Sequence, residues 1–278
     1  MNYIFYYTGK IPKHVFYSLN SINNCEKDSK IFFCSDSELK YHNTISQRVD
    51  DVQSSTTRAI DALFSGNSKL SLWKSSMLRI FYILEVAKKN NIEKFVHFDS
   101  DVLLYKSYNE ISKSFDQNKF NITPLNEKNL VFGYSYVANL NVYENICNHI
   151  FEILKQKKDY EHEYLDGKTI TEMSALAIVN KIYPDLFNLL PVLPGQKDNF
   201  VFDPGSYGQY LGGVDKKYFS KGYSNENHIV GREIIKDKVK PSFSKTQGPA
   251  VFIKEQKYEL VNLHIHKKNL KKFLIKNI

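Results

Sequence analysis

The sequence predicts an α/β fold, with a mostly parallel central sheet flanked by helices. Two observations carry the prediction. The apolar runs at 4–7 and 31–34 bracket a helical stretch that opens at Pro12. A strand, a helix and a strand within about thirty residues make a parallel βαβ unit. The same order then recurs, because a periodic helix over 70–89 leads directly into the apolar run at 95–98.

Each element has its own signal. Residues 4–7 form the first strand, closed by Thr8 and Gly9. Pro12 suits a first helical turn, and the helix is expected to reach about Asn20. Residues 31–34 are the second strand, and 50–66 read as a polar loop with a short helix. In the helix over 70–89, Leu72, Met77, Ile80, Phe81, Leu84 and either Val86 or Ala87 recur near helical spacing. Trp73 belongs with that apolar face, and Asn90-Asn91 ends the helix.

Further strands are expected over 122–124 and 130–136, and helices over 142–154 and 171–182, the latter capped by Thr169 or Thr171. Residues 194–232 hold many of the glycines and read as functional loops. A last strand at 259–266 leads into a lysine-rich amphipathic tail. No repeat or low-complexity linker divides the chain, so one domain is expected.

Composition narrows the function. The chain has 278 residues, 42% hydrophobic and 14% aromatic, with 38 Lys and Arg against 30 acids. The resulting charge of +8 favours anionic partners such as nucleotide phosphates. Three scattered cysteines fit neither a disulfide framework nor a zinc site and suggest a reducing cytoplasm. No signal peptide and no apolar run of membrane-spanning length is seen.

The most informative stretch is Phe95-Val96-His97-Phe98-Asp99-Ser100-Asp101-Val102-Leu103-Leu104. Two carboxylates end a buried strand, where an unpaired charge is costly and a cation would compensate. Oxygen ligands suit Mg²⁺ or Mn²⁺, which bridge nucleotide phosphates. With the upstream Trp73-Lys74-Ser75-Ser76 and Arg79, the block from Leu72 to Tyr105 resembles the nucleotide-sugar half of GT-A glycosyltransferases.

That resemblance implies a single GT-A domain with a Rossmann-like nucleotide-sugar half over about 1–120. An acceptor half would follow over about 121–240, then a C-terminal strand and basic tail over 241–278. It implies that Asp99 and Asp101 bind Mn²⁺ or Mg²⁺ on a sugar-nucleotide diphosphate, with a C-terminal histidine as a further ligand. Alternation along 261–266 sets Asn262, His264 and His266 on one face, and does not choose between the two imidazoles. Thr8, Arg79, Ser100 and Lys268 would bind the nucleotide. Arg79 has a second reading, as the ion-pair partner of Glu85 or Asp99.

Two acids are candidates for the general base, Glu172 at a helix start and Asp203 in the glycine- and tyrosine-rich loop 203–215. Glu172 has a bland reading too, as a favourable partner of the helix dipole. The resemblance further implies a nucleoside diphosphate sugar donor, UDP- before GDP-linked, and a carbohydrate or glycolipid acceptor. No nucleic acid is expected. The basic tail reads most simply as a C-terminal helix packed on its own domain with solvated lysines, and its second reading is peripheral contact with the inner membrane face. The rival readings are a haloacid-dehalogenase-type phosphohydrolase, which also ends a strand in DxD, and a basic non-catalytic binder of nucleic acid or membranes.

Overall fold

The structure is a computed structural model that describes residues 1–64, 71–214 and 223–275. Gly66, Leu70, Asp215 and Lys276, and the Leu72 side chain, lie outside the described residues.

The expected βαβ unit forms from β1 (Asn2–Tyr7), α1 (Lys13–Cys25) and β2 (Lys30–Ser35), with β1 and β2 parallel and Ile4 opposite Phe32. The helix α1 runs past Asn20 to Cys25. A third parallel strand, β3 (Thr44–Arg48), pairs with β2. Its polar sequence TISQR gave no strand signal. The short helix expected in 50–66 is α2 (Ser55–Leu63), fixed by a capping box between Ser54 and Thr57.

Helix α3 (Ser71–Lys89) and strand β4 (Phe95–Phe98) follow, with Lys88 and Lys89 against the helix's negative end. Asn91 takes a left-handed φ of 53°, the backbone form that commonly ends a helix. Next come β5 (Val102–Leu104), the one-turn α4 (Tyr108–Ile111), β6 (Phe120–Asn126), β7 (Asn129–Val137) and α5 (Leu140–Lys155). After α6 (Lys157–Leu165), Thr171 caps α7 (Glu172–Ile182), and β8 (Phe187–Leu189) and β9 (Phe200–Val201) follow.

Within the expected loop region lies a further short helix, α8 (Ile229–Ile235). The chain closes with β10 (Lys240–Ser244), β11 (Gly248–Ile253), β12 (Gln256–Leu260) and β13 (Asn262–His264). The single strand expected over 259–266 is thus split. Leu260 pairs with β9, whereas Asn262–His264 pair antiparallel with β5.

The central sheet has seven strands in the order β3-β2-β1-β4-β7-β6-β8. It is mostly parallel, as expected, with β7 antiparallel to both its neighbours. Alternate residues of β1 sort to its two faces. Ile4 packs with Met77, Ile80 and Phe81 of α3 and with α5 and α7, while Tyr3 and Phe5 pack with Val15, Leu19 and Ile22 of α1. Each such fully buried side chain contributes roughly 1.5–3 kcal/mol. The C-terminal strands enclose a third cluster around Val251, Leu263 and Ile265. β1, β2 and β4 all point their carboxyl ends to one edge, and a cleft opens there.

Candidate metal and nucleotide cleft

The cleft at that edge has a volume of about 630 Å³. Thr8 follows β1, and the Gly9 N–H donates to Asp36 after β2 at 2.7 Å, tying the two strand ends together. Asp99 directly follows β4, and its N–H donates to the Gly133 carbonyl of β7 at 3.1 Å. Asp101 opens β5, whose pairing with β13 brings in His264.

Asp99, Asp101 and His264 each offer one ligand atom, and these atoms lie within 4.8 Å of one another. His264 Nε2 stands 3.0 Å from Asp101 Oδ1 and 3.7 Å from Asp99 Oδ2. Burial would raise the Asp101 carboxyl, but His264, His266 and Lys268 outweigh it and hold it below the usual carboxylate range. Burial would lower His264, yet Asp101 and Asp203 raise it. Two carboxylate oxygens and one imidazole nitrogen suit Mn²⁺ or Mg²⁺, so the residues present fit the expected ion. His266 is not in this group; its ring meets His264 edge-on at 4.5 Å and lines the cleft rim.

Glycines make room for the histidine. A Cβ on Gly133, in mid-strand, would lie 3.0 Å from His264 Nδ1. One on Gly208 would lie 2.2 Å from the His264 carbonyl oxygen. A glycine inside the strand at 129–137 is the sequence signal for such a close approach.

Arg79 takes part in both of its expected settings. It lines the cleft and bonds Asp99, while its Nη2 donates to both Glu172 oxygens at 2.7 and 2.9 Å. Glu85 is not its partner among the described ion pairs. Thr171 and Ser174 form a capping box that fixes the start of α7 and so places Glu172 in the first turn. Burial raises the Glu172 carboxyl against the pull of Arg79. Thr8, Ser100 and Lys268 also line the cleft, and Lys268 holds a left-handed φ of 61°.

Asp203 is not brought to the same place. Its Oδ1 accepts from the N–H groups of Gly205, Ser206 and Tyr207 at 3.0, 2.6 and 2.8 Å. Its Oδ2 accepts from Gly208 and His264 at 2.9 and 3.0 Å. Five donors on a buried carboxylate make an anchor, and Asp203 is absent from the cleft lining. Tyr207 is likewise buried, donating to the Val192 carbonyl at 2.8 Å, so the loop does not present it as a flat sugar platform.

Other residues were not legible as site residues. Trp73, assigned above to the core, is 36% exposed at the cleft wall. His97 lies behind Arg79, its Nδ1 bonded to the Ile4 carbonyl at 2.8 Å. His228 lines the cleft, held at 2.9 Å by Ser206 and 3.0 Å by Asn225, and burial pushes its pKa down to about 4. The basic tail packs on its own domain, the simpler of its two expected readings, though as a 3-10 turn rather than an amphipathic helix. Residues 270–273 form a 3-10 turn whose Leu270 and Phe273 are buried in the third cluster, leaving Lys271 and Lys272 outside. Among the described residues, no helix is long and apolar enough to cross a membrane.

No family model matches the chain, and no curated protein does. Among solved structures it is similar to mouse xyloside xylosyltransferase 1 in its apo form, at 13% identity and a TM-score of 0.48, covering 69% of this chain and 86% of that one. It is similar to the galactosyltransferase LgtC in complex with donor and acceptor sugar analogues, at 13% identity and a TM-score of 0.44, over 69% of this chain and 73% of that one. The glycosyltransferase GlyE of Streptococcus pneumoniae TIGR4 gives 12% identity and a TM-score of 0.41, over 79% and 49%. Each of these TM-scores lies below 0.5, and the chemistry of the cleft alone carries the reading that follows.

Proposed function

We propose that the chain is a metal-dependent, GT-A-type glycosyltransferase that works as one domain. It would move a sugar from a nucleoside diphosphate sugar, UDP- before GDP-linked, to a carbohydrate or glycolipid acceptor in the cytoplasm. One observation carries the reading. Asp99, Asp101 and His264 converge where the parallel strands end, in a cleft that also holds Arg79, Lys268 and Glu172.

The residues divide the work. Asp99, Asp101 and His264 would hold Mn²⁺ or Mg²⁺, which when bound offsets charge developing on the departing diphosphate. Lys268 adds a positive charge at the rim, and Thr8 and Ser100 flank the nucleotide side. Arg79 keeps Glu172 oriented and ionised, while burial makes that carboxylate a better base for the acceptor hydroxyl proton. Asp203 is left to fold the loop. Any membrane contact would be electrostatic, through Lys267, Lys271 and Lys272, because the apolar residues of the 3-10 turn face inward.

The test is a panel of nucleotide sugars with Mn²⁺, followed by diphosphate release and slow donor hydrolysis. Asp101→Asn should abolish turnover and Mn²⁺ binding with an unchanged circular dichroism spectrum; retained activity would refute the metal assignment. His264→Ala should lose the ion and His266→Ala should keep it. Phosphate release from a phosphomonoester without any sugar donor would instead favour the phosphohydrolase.

A further inference from the structure

A second groove, of about 740 Å³, lies beside the cleft. The two share their walls. On α7, Met173 lines the cleft and Ala177, one helical turn on, lines the groove. At the start of α8, His228 belongs to the cleft and Ile229 to the groove. On the β6–β7 hairpin, Leu125 and Val131 face the first, and Pro124 and Leu130 the second. From Met173 to Asn180 is about 10 Å along the helix axis.

Its chemistry differs from that of the cleft. Leu189, 45% exposed, joins Leu190, Pro191 and Ile229 as an apolar floor. Asn180 and Gln196 add amides, which both donate and accept hydrogen bonds. Gln196 is held in place, because its Oε1 accepts from the N–H groups of Val192 and Leu193, both at 2.8 Å. That leaves its NH₂ without a hydrogen-bond partner among the described residues. Of the charged residues present, Glu127 is paired with Arg232 at 2.8 Å, while Lys197 donates to the neutral Ser114 carbonyl at 3.0 Å and keeps its positive charge. An apolar floor with a few amides and a single lysine tethered to a backbone carbonyl suits an amphipathic ligand of little charge. Sugar rings have that character, with apolar C–H faces and hydroxyl edges, whereas a diphosphate would find only the one lysine, Lys197.

We propose that this groove is a distal acceptor subsite that holds the sugar units beyond the reacting one. The acceptor is then a neutral oligosaccharide or the neutral end of a longer glycan, rather than a free monosaccharide. This inference rests on the glycosyltransferase reading of the adjoining cleft.

The experiment titrates gluco-, manno- and N-acetylglucosamine series, from monosaccharide to pentasaccharide, into the protein by calorimetry. It is run with and without Mn²⁺ and either UDP or GDP. Affinity should rise about tenfold or more with length in at least one series. The double variant Leu189→Ala with Asn180→Ala should lose that gain, while its melting temperature and its affinity for Mn²⁺ and UDP stay unchanged. No gain with length in any series, or an undiminished gain in the variant, overturns the subsite. Failure of the unaltered protein to bind Mn²⁺ with either UDP or GDP sinks the glycosyltransferase reading instead, and the nucleotide-free titrations then judge the groove by itself.

Discussion

Position 133 lacks a side chain because an imidazole stands over it. Gly133→Ala would put a methyl group 3.0 Å from His264 Nδ1 and 3.0 Å from Val131 Cγ1, so the ring must tilt away from the aspartates. Outer supports of a metal ligand typically control affinity by about 10–100-fold. Calorimetry should therefore find Mn²⁺ bound at least about tenfold more weakly by the variant, and an unaltered affinity would refute the fit around His264. Arg79 yields a different kind of outcome, because it neutralises two carboxylates at once. Arg79→Met should cost about 3 kcal/mol or more in urea unfolding, since it strands Glu172 in the interior. Arg79→Met combined with Glu172→Leu should recover much of that loss while remaining inactive. Equal stability of the two variants would show that Glu172 finds another partner. The aspartate pair was readable in sequence because charge at the end of an apolar strand is anomalous. The Arg79–Glu172 pair was not, since its members lie 93 residues apart and only folding joins them.

Elements with a strong period were the legible ones. The helices α3, α5 and α7 each bury a stripe of apolar residues, so their sequences carry their own evidence. Helix α6, KKDYEHEYL, has almost no such stripe, and β3 and β10 are polar edge strands; tertiary pairing, not local pattern, makes them. Alternation correctly sorted Val261, Leu263 and Ile265 into the core. It could not tell that the opposite face meets the 203–208 loop and the cleft rather than water, which is why Asn262 and His264 are buried as well. The start of α8 brings a pH dependence. His228 is held neutral by burial, with a pKa near 4 against about 6.5 for a free imidazole. As pH falls below about 6.5 the unfolded chain takes up this proton first, so stability declines until about pH 4. Thermal melts of His228→Asn should lose less between neutral and acid pH than the unaltered protein. Parallel curves would contradict the burial of that ring.

Over the whole molecule, the three cysteines behave as packing rather than chemistry. Cys34 and Cys147 are buried within the core, and Cys25 is half-buried beneath β5. Burial pushes the thiols of Cys25 and Cys34 up to about 12 and raises Cys147 further. Native protein should hence resist a thiol-specific disulfide reagent near pH 8, and all three should react once urea unfolds it. Rapid native labelling of Cys34 or Cys147 would show that the central sheet opens readily. The general architecture was readable because two core layers on one parallel sheet require repeated apolar strands. The C-terminal sheet of β10, β11, β12 and β9 was not, since it recruits strands from either side of α8 and its members look like loops in isolation.

One linkage bears on anyone who would re-engineer this chain. Asp203 and Asn262 clasp each other through reciprocal bonds of 3.1 Å, and Asp203 also receives the His264 amide. The 203–208 segment is thereby riveted to the strand that brings His264 to Asp99 and Asp101. Transplanting another loop to alter what the cleft accepts should leave residues 203–208 intact and begin downstream of Gly208. A graft that cuts this rivet would displace His264 from the two aspartates as well as reshape the loop.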